Sequence, residues 1–305
     1  MTLIGYTMMG EQAGPKQLVR DVVLAEQAGF DFAVISDHYF PWLDSQGHAP
    51  YAWSVLGAAA QATDRIPLMT YVTCPIRRYH PAVVAQKAAT MQLLSDGRFT
   101  LGLGAGENLN EHIVGGRWPL ASVRHQMLAE AVQIIRALWA GGTVTYRGRH
   151  FEVESARVWD LPETAPPIGI AVSGPGSCRL AGRHADAMIA TEPRAELGQL
   201  FDGAGGSGKP RIGQIALSYD PDERTAAGDG AVPLVYGWLA GECRAAGAGV
   251  VRAGVQDGAR GGRGHPDAVR SRPWAAPRRD SAVRGGRVHP RRVGAGRRGH
   301  PRVLH

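Results

Sequence analysis

The stretch FAVISDHYFPW, Phe32 to Trp42, opens as a buried strand and closes on Asp37, His38, Tyr39 and Trp42. Its first half is apolar and rich in β-branched residues, which suits a strand covered on both faces. A charge at the end of such a strand is costly unless that end meets partners or solvent. The fold must therefore bring the C-terminal end of this strand to a place where polar groups are wanted.

The same arrangement recurs along the chain. Ile4 to Met9, Phe32 to Asp37, Pro67 to Cys74, Phe99 to Gly104, Ile168 to Ser173, Ala187 to Thr191 and Ile212 to Tyr219 are seven strand candidates. Stretches of helical period separate them, as in Ser122 to Ala140, where Val123, Met127, Ala131, Ile134 or Ile135 and Leu138 recur at steps of three and four. Ser122 is expected to cap that helix. Strands alternating with helices leave an open doubly wound sheet or a closed (β/α)8 barrel. The polar groups decide: Asp37 and His38 follow the second strand, Cys74 ends the third, Glu107 and Asn110 follow the fourth, Ser173 and Gly174 the fifth, and Thr191 the sixth. A barrel gathers all these ends on one face, where barrel enzymes place their sites.

Composition sets bounds on this reading. A chain of 305 residues suits one large domain, and no apolar run approaches the ~20 residues that span a bilayer. A cytoplasmic protein without membrane partners is expected. Cys74, Cys178 and Cys243 are too widely spaced for a disulfide framework or a CxxC zinc site, and no metal is expected. The net charge of +7 divides unevenly: residues 1–223 carry 18 Lys and Arg against 22 Asp and Glu, and residues 224–305 carry 16 against 5. The basic character belongs to the tail.

Two glycine-rich stretches imitate nucleotide loops. Gly203 to Pro210, GAGGSGKP, ends in Pro210 where a phosphate loop needs Ser or Thr, and a strand follows it instead of preceding it. It reads as a flexible connection. GLGAGE, Gly102 to Glu107, lacks the last glycine of a dinucleotide fingerprint, so its glycines serve either a close backbone approach or a plain turn. SGPGS, Ser173 to Ser177, opens a helix whose free N–H groups could hold a phosphate.

Read in order, SDHYFPW, TCPIRRYHPAVVAQ (Thr73 to Gln86), LGAGENLNEH (Leu103 to His112), VSGPGS and IATEP (Ile189 to Pro193) form a series. This series resembles the luciferase-like flavin and deazaflavin oxidoreductases, within them the branch related to glucose-6-phosphate dehydrogenases dependent on coenzyme F420. The resemblance spans residues 3 to 223. It implies a (β/α)8 barrel, usually a homodimer, that binds the deazaflavin at the C-terminal ends of its strands and transfers a hydride between it and a small alcohol or sugar phosphate. It further implies that Asp37, Cys74, Asn110, Ser173, Gly174, Gly176 and Ser177 bind the cofactor, the last four at its phosphate. His38 would be the acid/base group, Glu107 the second, and Trp42 an aromatic facing the substrate. Thr191 and Arg194 would bind substrate phosphate. Relatives in this branch also carry a cis peptide in the third strand, expected here between Tyr71 and Val72.

The residue types suit the chemistry. Oxidising an alcohol by hydride transfer needs a base for the hydroxyl proton, a role for the imidazole of His38. A carboxyl such as Glu107, in a confined pocket, could supply or stabilise a proton on the reduced ring. FMN with monooxygenase chemistry is the alternative on the same barrel, and GENLNE together with the SDH strand end favours the deazaflavin.

From residue 224 on there is no Lys, Ile, Phe, Met or Asn, and Arg, Gly, Ala, Pro and His dominate. That composition describes a disordered tail or a GC-rich gene read out of frame. The domain is therefore expected to end at residue 223 and to lack a proper last βα unit, leaving the first and seventh strands unpaired. The tail could engage nucleic acid through its arginines, but Tyr236, Trp238 and Trp274 are too sparse to stack bases, and no nucleic-acid partner is expected.

Overall fold

A computed structural model describes residues 2–192, 194–218 and 234–240. The chain runs β1 (Leu3–Met8), α1 (Pro15–Ala28), β2 (Phe32–Ile35), α2 (Ala52–Ala62), β3 (Leu68–Thr70), α3 (Pro81–Leu94), β4 (Phe99–Leu103), α4 (Asn108–Glu111) and α5 (Ala121–Trp139). It continues with β5 (Val144–Arg147), β6 (Glu152–Ala156), β7 (Ile168–Ala171), α6 (Pro175–His184), β8 (Ala187–Ala190), α7 (Ala195–Phe201), β9 (Arg211–Ser218) and β10 (Leu234–Ala240).

The seven expected strands are the staves β1, β2, β3, β4, β7, β8 and β9, each parallel to its sequence neighbour in a closed barrel. Side chains alternate across the sheet. Phe32, Val34, Met69, Tyr71, Ala187, Ile189 and Ile212 form one buried cluster, while Ala33, Ile35 and Leu68 on the opposite face join the larger core under the helices. The strands stop one to four residues short of their expected ends, because the chain leaves the ladder there to turn over the barrel mouth. The Tyr71–Val72 peptide just beyond β3 is cis, as expected.

The eighth stave departs from expectation. Leu234–Ala240 fills the gap between β1 and β9 and runs antiparallel to both, pairing Gly5 with Trp238 and Ile215 with Gly237. The two open edges offer unpaired N–H and C=O groups, and LVYGWLA is the strand-forming segment that meets them. The barrel is closed, but by an antiparallel strand where the regular fold has a parallel one. Residues 241–305, with the out-of-frame tail and its nucleic-acid reading, lie outside the described residues.

The helices start where the chemistry permits. Pro15 and Pro81 occupy first turns, where a missing N–H costs nothing, and the His80 side chain accepts from the Ala82 amide at 3.2 Å. Gly29 ends α1 in the left-handed conformation, φ +89°. Ser122 does not cap α5. The helix begins at Ala121, with Arg124 N–H bonding Leu120 C=O at 3.0 Å, so the first turn is wound before Ser122 could serve as a cap. The antiparallel pair β5–β6 is an excursion outside the barrel. Its turn is fastened by Glu130, whose carboxylate accepts from the backbone of His150 and Phe151.

The glycine stretches are also accounted for. A Cβ at Gly102 would lie 1.9 Å from the Thr70 carbonyl oxygen, and one at Gly106, φ +72°, would lie 2.3 Å from Cys74 Sγ. These residues let β3 and β4 approach and turn. Gly203 to Pro210 precedes β9, and Lys209 bonds the carbonyls of Gly182 and Ala185 at 2.8 and 2.9 Å, closing the end of α6. Among the described residues no helix is long and apolar enough to cross a membrane, and no cluster could hold a metal ion.

Candidate active site

The polar groups that puzzle in the sequence meet at the C-terminal ends of the staves. Asp37, just past β2, is buried, and its carboxylate accepts from Trp53 Nε1 at 3.0 Å, Thr73 Oγ1 at 2.8 Å and the Tyr79 hydroxyl at 3.1 Å. Arg78 adds an ion pair at 3.4 Å and bonds the Asp37 carbonyl. On its other side Arg78 meets the buried Glu111, Nε to Oε1 at 3.1 Å, and Arg78 N–H bonds Oε2 at 2.9 Å. Burial opposes the charge of Arg78, but Asp37, Tyr79 and Glu111 together hold its pKa above the ordinary value. A buried guanidinium between two buried carboxylates is stable only with such complete pairing.

Behind this trio stands Lys87 of α3. Its Nζ is buried without a hydrogen-bond partner and lies 3.6, 4.5 and 4.9 Å from the ring centroids of Tyr79, Trp53 and Tyr51. Burial lowers its pKa to about 8, against the pull of Asp37.

His38 is the next residue. Its Nδ1 lies 2.6 Å from Oε1 of Glu11, a buried carboxylate in the turn after β1, and its ring meets Trp42 edge-on at 5.1 Å. Asn110 fixes the loop that carries both, its Oδ1 accepting from the amides of Tyr39 at 2.8 Å and Phe40 at 3.1 Å. Phe40 in turn stacks on His112 at 5.2 Å. Glu107 stands exposed at the head of α4 instead of in a confined pocket, and among the described residues its carboxylate has no hydrogen bond or ion pair.

A second group forms at the N-terminus of α6. Ser177 Oγ accepts from the amides of Ser173 and Gly174 at 3.0 and 3.2 Å, which holds the turn open toward the helix end. Gly176 faces His125, whose ring lies 3.1 Å from where a Cβ would stand. Burial, and then Arg124, lower the pKa of His125. Arg194 reaches across to the Ser173 carbonyl at 3.1 Å, and Thr191 is exposed at the end of β8. Cys74 is buried under Gly106, its thiol pKa raised by burial.

Residues 1–204 match the family model described as luciferase-like monooxygenase. The chain belongs to the luciferase-like family. Among curated relatives, the F420-dependent glucose-6-phosphate dehydrogenase of Beutenbergia cavernae is 42% identical over 238 residues, covering 74% of this chain and 71% of that protein. Its counterpart from Microbacterium testaceum is 43% identical, covering 73% and 70%. Among solved structures, an F420-dependent secondary alcohol dehydrogenase in complex with an F420–acetone adduct is 34% identical with a TM-score of 0.70, covering 74% of this chain and 72% of that one. The family-model match ends at residue 204, ahead of the point near residue 223 where the luciferase-like pattern of the sequence breaks off.

Glu11, Arg78, Glu111, Lys87 and His125 contact or flank the candidate residues, and sequence reasoning did not single them out. Arg78 and Glu111 stand inside TCPIRRYHPAVVAQ and LGAGENLNEH, so their segments carried the signal. Glu11 and His125 have none, because each reaches its partner only through the fold.

Proposed function

We propose that the protein is an oxidoreductase dependent on coenzyme F420, transferring a hydride between the deazaflavin and the CH–OH carbon of a small alcohol or sugar phosphate. The observation that carries it is His38 paired with buried Glu11 at the mouth of a luciferase-like barrel. Glu11 Oε1 stands 2.6 Å from Nδ1 without hydrogen-bond geometry, close enough to attract a charged ring, and Nε2 is the other nitrogen that can take the proton from a substrate hydroxyl. The adjacent carboxylate stabilises the imidazolium that results.

The residues present fit the cofactor. The small residues Gly174, Gly176 and Ser177 leave the amide end of α6 open for a phosphate, and Gly174 has free space where a Cβ would stand. When bound, the deazaflavin supplies the carbon that accepts or donates the hydride. Glu107 is free to stabilise charge that the ring gains. Asp37, held by four protein groups, acts on a ligand through the loop it anchors, and Asn110 holds the same loop against α4.

The reading extends to a cytoplasmic homodimer. Exposed Leu24 on α1 and Val83, Leu93 and Leu94 on α3 support the dimer, and the free, buried Cys74 and Cys178 suit a reducing compartment. Titration of the purified chain with F420 and with FMN tests the cofactor, and light scattering tests the dimer. Binding of FMN in preference to F420 would overturn the deazaflavin reading.

A further inference from the structure

The turn that opens α6 has a titratable neighbour on another helix. His125 lies in the second turn of α5, and its Nδ1 and Cε1 each stand 3.1 Å from where a Cβ on Gly176 would be, so a side chain there would press on the ring. The residue before it fixes its place. Arg124 donates to the carbonyls of Ala105 at 3.1 Å, Gly106 at 2.8 Å and Pro119 at 3.2 Å, and its guanidinium lies 4.6 Å from the centroid of the Trp118 ring. The start of α5 is thereby tied to the end of β4, and the imidazole is held beside the first turn of α6. Among the described residues the half-buried imidazole has no hydrogen bond, so both of its nitrogens are open to a ligand.

The same turn offers donors. Ser177 Oγ already accepts from the amides of Ser173 and Gly174, and Pro175 has no N–H, which makes the amides of Gly176 and Ser177 the first free donors of the helix. Gly176 is the residue that α6 presents to the imidazole. Among the described residues, Arg124 on its own helix is the charge that acts on His125, and with burial it favours the neutral ring. An anion brought to these amides reverses that balance, because an opposite charge close to an imidazole favours its protonated form.

Resting on the cofactor reading above, we infer that His125 is a binding residue for coenzyme F420, which takes a proton from solvent when the cofactor's phosphate docks on the amides of Gly176 and Ser177 and then donates a charge-assisted hydrogen bond to that phosphate. Affinity for the cofactor is therefore highest where the ring is protonated in the complex, and it declines as pH rises past that range. This dependence belongs to the phosphate end of the site and is separate from proton exchange at His38.

The test measures binding, not turnover. The full chain is titrated with F420 and with FO, the same deazaflavin without its phosphate, from about pH 6 to about pH 8.5, and calorimetry in buffers of different ionisation enthalpy counts the protons taken up. The affinity for F420 relative to FO should fall about tenfold across that range, with net proton uptake for F420 beyond that for FO. His125→Gln, which keeps a neutral donor, should abolish both effects. His125→Phe should also weaken F420 about tenfold near pH 6 and leave FO unchanged. If a variant fails to bind FO as well, the difference between the two ligands on the wild-type chain decides. F420 and FO affinities that run parallel across pH, or proton uptake that survives His125→Gln, would show the inference wrong while the cofactor reading stands. If neither F420 nor FO binds, that reading falls and the inference with it.

Discussion

Replacing Lys87 by methionine should stabilise the protein, and by an amount that shrinks as pH rises. Holding an ammonium whose pKa has fallen from the ordinary 10.5 to about 8 costs about 3 kcal/mol relative to the unfolded chain at neutral pH. The three rings of Tyr79, Trp53 and Tyr51 offset about half of that by cation–π attraction, leaving ~1–2 kcal/mol. Methionine keeps the volume of the stem without the charge. For a domain of this size the gain corresponds to a rise in Tm of about 3–6 °C near pH 7. The sign of the pH dependence follows from linkage. Between pH about 8 and 10.5 the unfolded chain still holds the proton that folded Lys87 has released, so the wild-type chain gains stability through that window. The variant lacks the group, and the gap in Tm should therefore narrow from pH 7 to pH 10. Thermal melts of both proteins across that range measure it. A gap that stays constant or widens, or a variant less stable at pH 7, would refute the account of Lys87 as a buried charge only partly compensated by its rings.

His38→Ala should leave cofactor affinity nearly unchanged and lower turnover by ~10²- to 10⁴-fold, read from titration and steady-state kinetics on the same preparation. Arg78→Met leaves Asp37 and Glu111 buried without their shared cation, and denaturant unfolding should register a loss of about 3–5 kcal/mol. Gly102→Ala would press a methyl to 1.9 Å from the Thr70 carbonyl oxygen, so the staves must separate. A loss of at least ~2 kcal/mol, or no soluble protein, is expected from the same unfolding measurement.

The staves were legible because runs such as FAVI and PLMT are both β-branched or apolar and short, and no helix fits their period. Their ends were not, since the residues past the ladder, such as Val72, Thr73 and Cys74, are apolar or β-branched and read as strand in sequence. The β5–β6 pair escaped notice because VTYR and EVESA alternate weakly and are largely solvent-facing. LVYGWLA reads as strand by itself, but it lies within a stretch whose composition argues for disorder, and one of its two partner strands, β1, lies at the other end of the barrel sequence. At the site, His38 and Asn110 stand out as polar groups following apolar strands. Glu11 does not, because a glutamate in the turn MGEQAG is unremarkable until β1 sets it beside β2.

The antiparallel direction of β10 also determines where the ring of staves begins and ends. Leu3 pairs with Ala240, so the first residue of the first stave and the last residue of the last are neighbours at the floor of the barrel, away from His38. A short glycine–serine bridge between them would make the described barrel continuous, and a new pair of termini could be opened at the exposed Arg149 in the β5–β6 turn. Such a circularly permuted chain keeps every stave and every residue at the mouth in place, and frees the barrel from whatever is attached beyond residue 240.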